Sequence, residues 1–155
     1  IRGLNMNNLE SLVESLKKDL RNECTHLAFY LQSASLVQGL HAKEYKEHFL
    51  KETSKEITHI NQFADLIIGL GGDNLDYMPY FEKIPQAKNP IEILRTALTL
   101  EEEVVANYCE RMHEAESLGS TDGDWIHIFL EKQIEESRID VDELKQIIRG
   151  YDSGY

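Results

Sequence analysis

The stretch Glu56-Ile57-Thr58-His59 lies within a run, residues 44–70, that is predicted to form one uninterrupted helix. Glu56 and His59 are three positions apart, so they project side by side from one face of that helix. That face is apolar, because large apolar residues recur on it at helical spacing: Tyr45, Phe49, Phe63, Leu66 and Leu70. A buried carboxylate is costly unless a partner compensates its charge. The sequence therefore predicts a polar site inside the core of a helical protein.

Four long periodic segments, with few prolines and glycines, predict an all-α protein. The first helix is predicted from about residue 7 to residue 38, ending at Gly39. The second follows almost at once, so the two form an antiparallel hairpin. After Gly71 comes an irregular segment of about twenty residues, long enough to cross the length of a bundle. The second and third helices can therefore be parallel.

Asn89-Pro90 is predicted to open the third helix as its cap and first residue. After a short loop, residues 119–124, the fourth helix returns antiparallel to the third. The remaining residues, 150–155, are too few and too polar for a fifth helix. The predicted fold is a four-helix bundle with one long crossover between the second and third helices, and residues 1–155 form one domain.

The other predicted helices also carry polar residues within their apolar stripes. Glu23 interrupts the first stripe, Glu101 lies in the middle of the third, and Gln133 and Glu136 are candidates on the fourth. In a bundle these positions lie at one level, where four carboxylates repel strongly unless two divalent cations neutralise them. Carboxylates with one imidazole suit iron or manganese. A lone glutamate in a stripe is more often a boundary residue, but three in register with a histidine favour a di-metal centre.

Several neighbouring residues have two readings. Tyr30 is an ordinary core residue by position, but its place beside Glu23 permits a hydrogen bond to a ligand. Glu52 is either a ligand near the entrance, or at a third site, or a surface acid. The two cysteines, Cys24 and Cys109, are predicted to be simply buried. The remaining histidines have no comparable partners and are predicted to be surface or boundary residues: His26, His41, His48, His113 and His127.

The charge and composition exclude several classes of protein. The formal net charge of −12 disfavours nucleic-acid binding, because phosphate contacts need clustered lysine and arginine. No apolar run is long enough for a membrane span. Two cysteines make no disulfide framework, so a cytoplasmic location is expected.

These motifs resemble the ferritin superfamily, whose di-iron bundles use Glu and Glu-x-x-His ligands. Glu23 with Tyr30 seven residues later resembles the first-helix ligand and its tyrosine, and residues 56–59 resemble the bridging glutamate with its histidine. Residues 97–102 are similar to the third-helix segment and point to Glu101 as the ligand. Residues 129–133 resemble the segment that ends in the ferritin glutamine. The similarity covers nearly the whole chain as a single ferritin-like di-iron domain.

The sequence also departs from relatives within that superfamily. From these residues we expect neither the fifth helix of large ferritins nor the basic tails with which Dps-like shells bind DNA. Haem-binding bacterioferritins have methionine directly after the bridging glutamate, and Ile57 at that position disfavours haem. They also repeat Glu-x-x-His on the fourth helix, where this chain has Glu135 followed by Arg138. Helical phase turns both of these residues away from the apolar side, so Glu136 is the predicted second-iron ligand, with Gln133 as a neighbouring or water-holding group.

The resemblance implies a ferroxidase that oxidises Fe(II) with O2 or H2O2 at two irons per chain. It also implies mineral storage in a homo-oligomeric shell of twelve or twenty-four subunits, without nucleic-acid or membrane partners. Glu56 would bridge the irons, Glu23 and His59 would hold one, and Glu101 with Glu136 the other. The alternatives are a rubrerythrin-like di-iron or di-manganese oxidoreductase or peroxidase without storage, and a non-catalytic helical bundle. No Cys-x-x-Cys pair of the rubredoxin kind is present.

Overall fold

A computed structural model describes residues 2–154, with side chains described from residue 8 onward. It contains four long helices: α1 (Arg2–Leu36), α2 (Ala42–Gly69), α3 (Pro90–Ser117) and α4 (Thr121–Asp152). A short 3₁₀ turn, Phe81–Lys83, lies between α2 and α3. Within residues 2–154 there is no strand and no fifth helix. The predicted all-α bundle with one long crossover is confirmed.

Contacts between side chains fix the directions of the helices. Between α1 and α3, Asp19 contacts Arg111 and Tyr30 contacts Glu101, so residue numbers rise along α1 as they fall along α3. Between α2 and α4, Lys55 contacts Asp140 and Gln62 contacts Gln133, which gives the same opposite order. Both pairs are therefore antiparallel. Since a short connection also makes α1 and α2 antiparallel, α2 and α3 are parallel, as the length of the crossover predicts.

The crossover runs along the outside of α1 and is attached to it by hydrogen bonds. The backbone N–H of Tyr80 donates to Thr25 Oγ1 at 2.7 Å, and further along Gln32 Nε2 donates to the Pro85 carbonyl at 2.8 Å. The Arg21 guanidinium lies over the Tyr80 ring, 5.2 Å from its centroid. These contacts hold a segment that has little regular structure of its own, and they cover one side of α1.

The ends of α1 differ from the predicted ones. The helix is already formed at Arg2 instead of beginning near Asn7, whose side chain lies outside the described residues. No proline occurs in this stretch to interrupt the helix. At the other end α1 stops at Leu36, because the N–H of Gln38 donates to the Lys88 carbonyl at 2.8 Å instead of continuing the helical pattern.

The starts of α3 and α4 are set by capping side chains. Asn89 caps α3 as predicted, since its Oδ1 accepts a hydrogen bond from the Ile91 N–H at 3.0 Å. Ser120 caps α4 in the same way, accepting from the Gly123 N–H at 3.2 Å. The predicted loop was longer than the observed one, because α4 begins at Thr121, next to its cap.

Two apolar clusters fill the bundle on either side of its middle. One includes Leu16, Leu20, Phe63, Tyr108 and Leu130. The other includes Phe29, Phe49, Leu94, Ala97 and Leu144. Burial of these side chains supplies the main driving force for folding, and the polar residues of the middle turns lie between the two clusters. In the described part of the chain, no helix has the length and apolar character that crossing a bilayer requires.

Candidate metal centre

Glu23, Glu56 and His59 meet where the middles of α1 and α2 face each other. One ligand atom from each lies within 4.8 Å of the other two. His59 Nδ1 is 3.5 Å from Glu23 Oε2 and 3.4 Å from Glu56 Oε2. These separations exceed the usual length of a hydrogen bond, whereas two atoms each about 2.1 Å from one metal ion are about 3.0–3.4 Å apart. The geometry therefore suits the binding of a metal ion better than direct hydrogen bonding.

A second group of the same kind consists of His26, Glu56 and Glu101, again with ligand atoms within 4.8 Å of one another. His26 is 1% exposed and Glu101 is 3% exposed. His26 Nδ1 lies 3.6 Å from Glu101 Oε1. Glu56 belongs to both groups, so its carboxylate lies between the two clusters of ligand atoms.

The prediction that His26 is a surface or boundary residue is wrong. The apolar stripe of α1 suggests one buried face, but Asn22, Thr25 and His26 are also buried. This wider burial arises because α3 packs on α1 and the crossover covers another side of it. A sequence signal was present: Glu23-Cys24-Thr25-His26 has the same Glu-x-x-His spacing as residues 56–59.

Electrostatics within the site distribute charge unevenly. Burial raises the pKa of Glu56, and the neighbouring Glu23 charge raises it further, well above its usual range. Burial also raises the pKa of Glu23, but its interactions with Glu56 and His59 outweigh this effect and lower the pKa to about 2. For His59, burial lowers the pKa, but the nearby carboxylates of Glu23 and Glu56 prevail and raise the pKa to about 11. Without a metal ion, the positive charge of His59 and a proton on Glu56 compensate the buried acids.

This compensation is incomplete. Glu23 Oε2, Glu56 Oε2 and His26 Nε2 are buried and have no hydrogen-bond partner. Each such unpaired polar atom costs about 1–3 kcal/mol, and more when it is charged. Carboxylate oxygens that lack protein donors are the atoms that a divalent cation would satisfy, and oxygen ligands with imidazole suit iron, manganese or zinc. The residues present therefore fit a centre that binds such ions.

Two tyrosines hold the outer glutamates by hydrogen bonds. The Tyr30 hydroxyl donates to Glu101 Oε1 at 3.3 Å, and the Tyr108 hydroxyl donates to Glu23 Oε1. Burial and nearby carboxylates raise the pKa of both tyrosines well above the usual range, so both hydroxyls keep the proton that they donate. Tyr30 thus contacts a candidate ligand, as predicted. That ligand is Glu101 on α3, and not the neighbouring Glu23. Tyr108 lies among apolar residues at helical spacing on α3, so its position in the sequence indicates only a core residue.

The predicted α4 residues contact α2. Glu136 Oε2 lies 3.0 Å from His59 Nε2, and its side chain is 41% exposed. Gln133 is buried, and its Nε2 donates to Gln62 Oε1 at 2.8 Å, one helical turn from that pair. The hydrogen bonds of both α4 residues therefore go to α2 and not to Glu101.

The polar face of α4 agrees with the helical phase read from the sequence. Glu135 is exposed to solvent. Arg138 is also exposed, and its Nε donates to Asp142 Oδ1 at 3.1 Å. Neither side chain lies among the buried acids.

An opening to solvent lies beside His59. A cavity of about 300 Å³ is lined by Lys55, Thr58, His59, Glu136, Ile139 and Asp140. At its rim Lys55 Nζ is 3.1 Å from Glu52 Oε1 and 3.2 Å from Asp140 Oδ1. Glu52 is therefore paired with a lysine, and its side chain is mostly buried.

A larger cavity of about 660 Å³ lies between the start of α1 and the end of α2, away from all of these residues. Cys24 is buried and Cys109 is half-buried, and both are free thiols.

Comparisons with known proteins identify the family. No curated protein sequence matches the chain. A solved structure of ferritin like, diiron-carboxylate proteins from Bacillus anthracis str. Ames is 27% identical, with a TM-score of 0.81 over 91% of this chain and 97% of that chain. The DPS protein from Vibrio cholerae O1, a member of a broad superfamily of ferritin-like diiron-carboxylate proteins, is 13% identical, with a TM-score of 0.82 over 92% of this chain and 91% of its own, and at that identity shows the shared fold alone. The sequence profile of the ferritin-like domain matches residues 13–152, and the chain therefore belongs to the ferritin-like domain family.

Proposed function

We propose that this protein is a ferroxidase that binds two Fe(II) ions per chain as substrate, oxidises them to Fe(III), and stores the product as mineral in a homo-oligomeric shell. The observation that carries the proposal is the position of Glu56 in both groups of ligand atoms. A carboxylate shared in this way bridges two ions held by their own terminal ligands. The similarity to a diiron-carboxylate structure over nearly the full length of both chains supports the same assignment.

Each residue has a definite role in this proposal. Glu23 and His59 hold the first ion, Glu101 holds the second, and Glu56 bridges them. Glu136 completes the site from α4, at the rim beside His59. Four carboxylates then balance the charge of two divalent ions, which removes the repulsion that burial creates.

The chain's own contribution to the reaction is positioning and proton movement. Metal ligands must be deprotonated, so binding of Fe(II) releases protons that Glu56 and His59 hold in the metal-free protein. Two Fe(II) ions supply two electrons, which reduce one O2 with two protons to H2O2, or one H2O2 with two protons to two water molecules. The hydrogen bonds from Tyr30 and Tyr108 fix the orientation of Glu101 and Glu23.

The route for Fe(II) is the opening beside His59. Glu136 and Asp140 lie on its wall, and both are acidic. The net charge of −12 adds a general attraction for cations. Fe(II) arriving there meets His59 first, before the more deeply buried Glu56.

Anaerobic Fe(II) titration followed by calorimetry tests the two-ion centre. We expect a break near two equivalents per chain, followed by rapid oxidation when O2 is admitted. Glu135→Ala is the control, because Glu135 is an exposed acid and its replacement should leave this stoichiometry unchanged. A break at zero or one equivalent contradicts the proposal.

Storage is tested separately from oxidation. One bundle of this size encloses no space for a mineral, so storage requires a hollow assembly. Sedimentation at micromolar concentration, combined with iron analysis after aerobic loading, is expected to give a shell of at least twelve chains that retains many irons per chain. Monomers or dimers that oxidise Fe(II) rapidly would contradict storage and favour the rubrerythrin-like alternative, while leaving the metal centre in place.

A further inference from the structure

We propose that His26 is the imidazole ligand of the second metal ion, so that α1 and α2 each supply a complete Glu-x-x-His motif to the centre. The inference rests on the two-ion centre proposed above and adds to it a ligand from α1. The second ion is then held by His26, Glu101 and the shared Glu56.

The geometry around the two histidines is alike. His26 Nδ1 lies 3.6 Å from Glu101 Oε1, and His59 Nδ1 lies 3.5 Å from Glu23 Oε2. Both separations are too long for a good hydrogen bond and near the distance between two ligands of one ion. Each histidine, with two glutamates, forms a group whose ligand atoms lie within 4.8 Å.

The arrangement follows from the antiparallel hairpin of α1 and α2. Residues 23–26 and 56–59 face each other in opposite directions, so His59 lies at Glu23 while His26 groups with Glu56. Each ion then receives one imidazole, one terminal carboxylate and one oxygen of Glu56. The two positions thus have matching ligand types.

A purely structural role for His26 explains less. A core histidine normally satisfies both ring nitrogens by hydrogen bonds, but His26 Nε2 is buried without a partner. Leaving a buried ring nitrogen without such a bond is unfavourable, so hydrogen bonding within the chain does not account for a histidine at this position.

The fourth helix offers no competing imidazole at this level. Arg138 is exposed and bonded to Asp142, and an arginine does not ligate metals because it stays protonated. His127, also on α4, pairs with Glu116 and Glu131 near the surface. Among the described histidines, His26 and His59 are the two that lie against the buried glutamates.

Zn(II), which is not oxidised, is a suitable probe for the test. We expect calorimetric titration of the wild-type protein to show two sites. His26→Gln should keep one site and weaken the other more than about 100-fold, beyond the loss typical of an outer partner. His59→Gln should weaken the opposite site, and His113→Gln, whose side chain is 76% exposed, should weaken neither. Two sites of wild-type affinity in His26→Gln would overturn the inference.

A measurement on the wild-type protein keeps the test independent of whether a variant folds. In crystals of the Zn(II)-loaded protein, anomalous scattering locates the ions, and we expect the second ion about 2.0–2.1 Å from a His26 nitrogen. A second ion held by Glu101 and Glu56, but more than about 3 Å from both His26 nitrogens, overturns this inference alone. Fewer than two ions in the centre would contradict the proposed ferroxidase site as well.

Discussion

The Tyr108 hydroxyl on α3 donates its hydrogen to the Glu23 carboxylate on α1. A second hydrogen bond of the same kind runs from α1 to α3, where the Tyr30 hydroxyl donates to Glu101. Each tyrosine lies seven residues after the glutamate on its own helix. Because α1 and α3 are antiparallel, this equal spacing brings each tyrosine to the glutamate of the other helix. The two helices therefore orient each other's candidate ligands.

Removing one hydroxyl is expected to weaken one ion selectively. Tyr108→Phe keeps the buried ring but frees Glu23, so binding of the first ion should weaken by about 10- to 100-fold. Tyr30→Phe should have the same effect on the second ion through Glu101. Calorimetric Zn(II) titration of both variants measures this, with Tyr151→Phe as the control because Tyr151 is 55% exposed. Unchanged affinities in both variants would mean that these hydrogen bonds do not position the ligands.

Glu56→Gln is expected to slow Fe(II) oxidation without lowering the stability of the metal-free protein. Loss of the shared carboxylate should slow Fe(II) oxidation more than about 100-fold, exceeding the effect of losing an outer partner. The metal-free variant should be at least as stable as the wild type, because a neutral amide replaces an acid buried beside Glu23 and Glu101.

Stopped-flow oxidation and urea unfolding of the metal-free protein measure these two effects. Wild-type oxidation kinetics in Glu56→Gln would rule out a bridging role. A large loss of stability without metal would show that Glu56 serves the fold and not ion binding.

The level of the site along the bundle was predictable from the sequence. Glu23, Glu56 and Glu101 each interrupt an apolar stripe near the middle of a helix, and helices joined by short connections bring their middles together. All three are 2–3% exposed, as placement inside a stripe predicts. Helical periodicity is sufficient for these three residues because each lies within an apolar stripe, and the stripes face the core.

The contribution of α1 was less predictable, since periodicity does not reveal how much of a helix is covered. The crossover and α3 bury sides of α1 that carry few apolar residues, and His26 lies there. The helical spacing of Tyr108 indicates that its ring is buried, but the partner of its hydroxyl depends on the register of α1 against α3. Such relationships between helices follow from packing, which no local pattern encodes.

Glycines on α4 offer a test of how tightly α3 and α4 approach. A Cβ atom on Gly123 would lie 2.5 Å from the Ala115 carbonyl oxygen and 3.1 Å from Leu118 Cβ, whereas one on Gly150 meets nothing within 4 Å. Gly123→Ala should therefore lower the free energy of unfolding by about 1–3 kcal/mol. Gly150→Ala should raise it by about 0.5–1 kcal/mol, because alanine favours the helix. Urea denaturation measures both, and equal effects would contradict the close contact.

Glu136 and Glu135 form a matched pair for testing the role of α4. Glu136 Oε2 lies 3.0 Å from His59 Nε2, so it holds the ring with Nδ1 directed at Glu23 and Glu56. Glu135, one position earlier, is exposed. We expect Glu136→Ala to slow Fe(II) oxidation by about 10- to 100-fold and Glu135→Ala to leave it unchanged.

The number of bound ions then separates two roles for Glu136. A variant that still binds two Zn(II) ions but oxidises Fe(II) slowly indicates a residue that orients His59. A variant that binds only one ion indicates a direct ligand, as the helical phase of the sequence predicts. If Glu135→Ala is the damaging change and Glu136→Ala is silent, then the helical phase assigned to α4 does not describe the working site. The contact between Glu136 and His59 would in that case contribute nothing to the reaction.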